Sequence, residues 1–236
     1  MFVRLTAAAT MLSLIAAPGV TQAAGKALRT LAFDVGYSVA SSSERNENGI
    51  TAGGGSGGAF AVDDAGTMLI DVVAVTADGG LVVDASYAGK VTNQSPIRVA
   101  ILPDGRLGFN PAKPPCPQAL YVLPMLARKV FGDRDIEKGA TWSTKIDEPA
   151  ATTTYRVLDV DNPVATIAME RSLTAGTSKD YQEHETGTMR YATDLLTPLR
   201  MDMYIHSRRA TLERIETADT HLLATLKSDS FATPHS

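Results

Sequence analysis

The constraint that most limits the fold of this chain is an alternation of apolar and polar residues that returns along most of its length. Its cleanest instance sets Leu199, Met201, Met203 and Ile205 on one face against Arg200, Asp202, Tyr204 and His206 on the other. Successive side chains of an extended backbone point to opposite sides, so a run with this period is a strand with one dry face and one wet face. Leu31, Phe33, Val35, Tyr37 and Val39 share the face of another such run, opposite Asp34 and Ser38.

Turn chemistry joins these runs into hairpins. The segments 68–76 and 81–88 flank Asp78-Gly79-Gly80, where glycine supplies the positive φ of a tight turn. Ile97, Val99 and Ile101 are matched by Leu107 and Phe109 across Pro103-Asp104-Gly105-Arg106. From Ala140 onward the pattern reads as a meander, with strands expected over 141–146, 153–160, 164–171, 185–193, 199–207, 211–217 and 221–228. The expected fold is mainly β: a strongly curved antiparallel sheet, either a half barrel or a barrel-like closure. One short helix is expected near residues 124–131, where Met125, Leu126, Val130 and Phe131 keep helical spacing, Pro124 suits a first turn and Gly132 an end. Leu120 to Leu123 read either as a strand or as an earlier turn of a kinked helix. Residues 41–58 lose the alternation and are expected to form a flexible Gly/Ser-rich loop.

Residues 1–23 read as a secretory signal peptide: Arg4, an apolar run from Leu5 to Ala17, the helix-breaking Pro18-Gly19, and Thr21-Gln22-Ala23 as the cleavage site. The apolar run is shorter than the roughly 20 residues of a membrane span. The mature chain, 24–236, is therefore expected to be extracytoplasmic, periplasmic or secreted, and not transmembrane after cleavage; an uncleaved anchor is the alternative. It reads as a single β-rich domain, with halves at 30–110 and 118–230 as the other division. Cleavage removes Arg4 and no acidic residue, so the 22 basic residues become 21 against 26 acidic ones. Without a basic patch to neutralise phosphates, no nucleic-acid partner is expected. The single cysteine, Cys116, permits no intramolecular disulfide. It sits in the rigid turn Lys113-Pro114-Pro115-Cys116-Pro117, where it is either buried or a reactive thiol.

Several motifs fail when their context is required. Gly53-x-Gly55-x-x-Gly58 matches a dinucleotide fingerprint and Gly54-x-Ser56-x-Gly58 a nucleophile elbow, but each needs a helix after it, and Ala59 to Asp64 read as strand and turn. His184, His206, His221 and His235 have no close ligand spacing, and a metal site would have to be assembled across strands with Glu183, Glu185 or Asp202. The carboxylate pairs Asp63-Asp64, Asp133 with Asp135, Asp147-Glu148 and Asp159 with Asp161 read as solvated turns. No catalytic residue, metal or cofactor is expected. Trp142, the one tryptophan, reads as a core anchor.

The signal peptide, the opening strand Leu31-Ala32-Phe33-Asp34-Val35-Gly36-Tyr37, the turn into Gly139-Ala140-Thr141-Trp142 and long runs such as Gly187-Thr188-Met189-Arg190-Tyr191 resemble extracytoplasmic half-barrel proteins of the lipoprotein-carrier type. The likeness is architectural, extends over most of the mature chain and carries no motif. It implies a curved sheet that wraps a short helical plug and shelters acyl chains, and it assigns no residue a role.

The leading expectation is a non-enzymatic binding protein for a lipid or other apolar ligand. Met189, Met201, Met203 and Ile205 are its candidate lining, because methionine is flexible and polarisable enough to fit irregular apolar shapes; ordinary core filling explains the same residues. An envelope structural or protein-interaction module is the alternative, using exposed strand edges or the 41–58 loop. A hydrolase using Ser56 or a histidine-carboxylate pair comes third.

Overall fold

A computed structural model describes residues 27–47, 50–51, 58–127, 136–176 and 180–231. Its strands are β1 (Arg29–Glu47), β2 (Ile50–Thr51), β3 (Ala59–Val75), β4 (Leu81–Gly89), β5 (Asn93–Ile101), β6 (Leu107–Phe109), β7 (Thr141–Ile146), β8 (Ala150–Asp161), β9 (Val164–Ala175), β10 (Tyr181–Ala192), β11 (Thr197–Ala210) and β12 (Arg214–Asp229). They form one antiparallel sheet in the order β6-β5-β4-β3-β1-β12-β11-β10-β9-β8-β7, with β2 paired to β1 off this path. The sheet is not closed, and β6 and β7 are its two ends.

The order follows from short hairpin connections. Gly79, at φ 86°, and Gly105, at φ 82°, make the turns expected of them between β3 and β4 and between β5 and β6. Two meanders therefore grow outward, one from each side of a central seam where β1 pairs with β12 from Leu31↔Asp229 to Arg45↔Arg214. The N-terminal meander ends at β6 and the C-terminal one begins at β7, on the far edge. The chain between them carries α1 (Pro117–Val122) and a 3-10 turn, Leu123–Leu126, whose apolar residues pack on one face of the sheet.

That face is the core. Leu31, Phe33 and Val35 of β1 are buried with Met68, Ile70, Val83, Val99, Ile167, Met201 and Leu222, against Val122, Leu123 and Met125 of the helical segment. Register shifts at Ala32/Phe33, Val72/Ala74, Ala85/Tyr87, Val157/Asp159 and Arg190/Tyr191 interrupt the ladders. Such bulges bend a strand and increase its twist, which lets the sheet curl round the segment it covers. At one end of the seam, Arg29 Nε donates to Asp229 Oδ1 at 3.0 Å, Nη1 donates to Leu195 O at 3.0 Å, and Nη2 reaches Asp229 and Thr197.

Four local expectations are corrected. The loop expected over 41–58 starts later, because β1 stays paired with β12 as far as Arg45, its last residues Asn46 and Glu47 pair with β2, and β2 occupies Ile50–Thr51; polar residues extend a strand where a neighbouring strand supplies backbone partners. Residues 52–57, with Ser56 and most of the glycine tract, lie outside the described residues, as do Asp133, Asp135, His235 and the signal peptide. The helix begins at Pro117 rather than Pro124, so Leu120 to Leu123 belong to helical structure. Pro124 has no N–H to return to Leu120, and the chain tightens there to 3-10 geometry; 128–131 are outside the described residues. The strands expected at 211–217 and 221–228 are one strand, since Ala218 and Asp219 pair with Ser41 and Ala40. Asp63-Asp64 is mid-strand rather than a turn: Asp63 is exposed and Asp64 only 4% exposed.

The close approach of β3 and β4 is set by Gly66, where an added Cβ would lie 2.2 Å from Ala88 O and 2.5 Å from Gly89 Cα. Gly66→Ala should cost about 1–3 kcal/mol in urea unfolding, the usual range for overpacking. Gly58→Ala, with nothing within 4 Å of its Cβ position, should be close to neutral.

Candidate functional site

The register places all four candidate residues on the concave, plug-covered face. Met189 of β10 lies directly opposite Met201 of β11, Met203 is opposite Gly187, and Ile205 is opposite Glu185. Their exposures are 3%, 1%, 3% and 2% for Met189, Met201, Met203 and Ile205, so none meets solvent. Met169 of β9 faces Gly187 from the other side, and Met125 of the 3-10 turn completes the group. A void of about 10 Å³ remains between these methionines, about the smallest space that holds one water. Gly187 is what admits the flanking thioethers: a Cβ there would stand 3.1 Å from Met203 Cγ and 2.5 Å from Asp202 O.

One step along the strands the concave face becomes charged. Arg171 of β9 is opposite Glu185, and its Nη1 donates to Glu185 and, at 3.2 Å, to Glu183 Oε1. Tyr181 donates its hydroxyl to Glu183 Oε2 at 2.6 Å. The Glu185 side chain is 1% exposed, and burial, offset in part by Arg171, pushes its carboxyl up to about 7. Burial and the nearby carboxylates raise the Tyr181 and Tyr121 phenols well above their ordinary value, so both stay protonated. Arg171 stays charged, because the two glutamates outweigh its desolvation. A buried ionic group of this kind stabilises little beyond an apolar replacement, yet removing one member is costly.

The cover is attached differently at its two ends. At α1, Gln118 Nε2 donates to Asp64 Oδ2 at 3.2 Å, and the Cys116 N–H donates to Gln94 Oε1 at 2.9 Å. Asp64 is itself held by the N–H groups of Val91 and Thr92 at 3.1 and 3.0 Å; despite desolvation these bonds keep its carboxyl below the usual range. Beyond Gln118 the segment relies on apolar packing by Val122, Leu123, Met125 and Leu126. α1 has six residues and no side-chain cap. A helix this short has no independent stability and is ordered only by what it packs on.

Cys116 is buried and its thiol is raised by desolvation, the opposite of an activated nucleophile. Trp142 stacks on Tyr155 with ring centroids 5.3 Å apart, as an anchor at the β7 edge. Gly58 leads into strand β3, so the helix that both glycine motifs require is not there. The histidines His184, His206 and His221 stand on the other face of the sheet, away from the methionines. Sequence reasoning missed the Arg171–Glu183–Glu185 group. Glu183 and Glu185 share the parity of Gly187 and Met189, but with β10 expected to begin at Glu185 they fell at a strand end, where charge calls for no explanation.

Between the ordinary carboxylate value of 4.5 and about 7, the folded chain keeps a proton on Glu185 that the unfolded chain has released. Stability therefore falls as pH rises through this window, by at most about 1.4 kcal/mol per pH unit. Glu185→Gln should flatten that slope in urea titrations from about pH 5 to about pH 8; parallel slopes for the two proteins would show that Glu185 is not the group responsible.

A scan against protein-family models matches no family, and a search of curated proteins finds none similar to the chain.

Proposed function

We propose that this chain is a non-enzymatic, extracytoplasmic binding protein whose concave face shelters an apolar ligand, a lipid or acyl chain, beneath the segment 117–127. One observation carries the reading: methionines from β9, β10 and β11 meet a methionine of the cover at a single place, with about 10 Å³ between them. Flexible thioethers can be rearranged round an apolar guest at low cost. The void itself is too small for any lipid, so loading requires the cover to lift. Lifting 117–127 breaks one side-chain bond to the sheet, Gln118 to Asp64, and uncovers Val122, Leu123, Met125 and Leu126, apolar contacts that an acyl chain can replace in kind. The lipoprotein-carrier resemblance points the same way through architecture alone.

The alternative, an envelope interaction module, is favoured by one observation. The sheet ends in two strands, β6 and β7, each paired on one side only among the described residues. An exposed strand edge can accept a strand from a partner protein. No described helix is long and apolar enough to cross a membrane.

Native mass spectrometry of residues 24–236, purified without detergent, should show an apolar adduct at one per chain that organic extraction identifies. A fluorescent long-chain fatty acid should bind the extracted protein. Gln118→Ala, which frees the cover from Asp64, should speed uptake several-fold with the circular dichroism unchanged. A clean apo mass together with no probe uptake overturns the carrier reading in favour of strand-edge pairing.

A further inference from the structure

The face of the sheet opposite the plug holds a groove of about 460 Å³ where β10, β11, β12, β1 and β3 turn their polar residues outward. Alternation puts His184, His206 and His221 there together, although they are scattered in sequence. His184 and His206 are directly opposite partners in the β10–β11 register. Side chains so placed start about 4.5–5.5 Å apart at Cβ, a separation from which two imidazoles can close on one ion.

The outer contacts of these two rings matter more than their proximity. His206 Nδ1 is 2.7 Å from Asp219 Oδ1, and His184 Nδ1 is 3.4 Å from Ser172 Oγ. A carboxylate can only accept, so His206 donates from Nδ1 and its Nε2 carries the free lone pair. Metal-bound histidines are oriented in this way, with the second nitrogen given to a carboxylate or hydroxyl that fixes the tautomer and raises ligand basicity. The Glu170 carboxylate lies 3.9 Å from His184 Nε2, which adds negative charge beside an incoming cation. His221 is committed elsewhere: its Nε2 is 2.8 Å from Asp202 Oδ1, and its ring stacks on Tyr204 at 4.3 Å.

We propose that His184 and His206 form a two-imidazole site for a late first-row divalent cation, Cu²⁺ or Zn²⁺, whose remaining coordination positions face the groove. In their present positions no three described His, Cys, Asp or Glu side chains hold a metal together, so the protein supplies two nitrogens, and water or an outside ligand supplies the rest. The side chains of His184 and His206 are 49% and 56% exposed, which leaves both rings open to an ion arriving from the groove. Imidazole suits these metals, and Cu²⁺ binds most tightly in the series.

The test uses Cu²⁺ and the untagged mature chain carrying His235→Gln, which removes the imidazole of the C-terminal tail. Calorimetry should give one ion per chain, and electron paramagnetic resonance should give a signal split by two imidazole nitrogens. His184→Gln and His206→Gln should each weaken binding at least tenfold and reduce the splitting to that of one nitrogen. His221→Gln should leave both readouts unchanged. All of these side chains are at least partly exposed, so the folds should be intact, and circular dichroism checks this. Binding that persists in the His184→Gln/His206→Gln double variant, or a loss matched by His221→Gln, overturns the site.

Discussion

The pairing of the first strand with the last is the interaction on which the rest of this molecule depends. β1 and β12 run together from Leu31↔Asp229 to Arg45↔Arg214, and their inward pairs Phe33↔Leu226, Val35↔Ala224 and Tyr37↔Leu222 lie across the middle of the core. The ladder brings together residues as far as 200 positions apart. Closing a loop of that length costs entropy before any contact repays it, and non-local pairing of this kind slows folding. Arg29 clamps the same end, joining Asp229 to Leu195 of the β10–β11 turn and to Thr197, the first residue of β11. The remaining pairings are nearest-neighbour hairpins that could form locally.

The same seam decides where the helical segment lies. With β1 and β12 central, the two meanders finish on opposite edges, and the chain between β6 and β7 has to get from one to the other. Its described helical part lies on the concave face and serves as the inner half of the core. An open sheet thus obtains a dry interior without a second sheet. The arrangement places a segment with little structure of its own over the methionines, beside an ionic group that is sensitive to its solvent exposure.

Much of this could be read from the sequence because strand periodicity is a local property. The alternation in 31–39 and 199–206 gave the correct inward face, and Gly79 and Gly105 marked their turns through a backbone conformation that other residues avoid. What could not be read depended on neighbours distant in sequence. Ser41 to Arg45 look like loop until β12 is known to lie beside them, and Asp64 looks like a turn residue until Val91, Thr92 and Gln118 are brought to it. That Met189, Met201 and Met203 share one face of β10 and β11 was legible, whereas Arg171 and the opposed histidines required the strand order. Pro124 was an ambiguous sign, because a proline can open a helix or tighten its end, and Pro117 had already taken the first role.

The central position of the last strand also bears on how the molecule is made. Arg214–Asp229 is synthesised after everything it must join, so until it is complete β1 and β11 present two long, bare hydrogen-bonding edges. The nascent chain is then a pair of unsealed half-sheets, each able to pair with a neighbouring copy. Arg214–Asp229 therefore completes the fold and removes both edges in a single step.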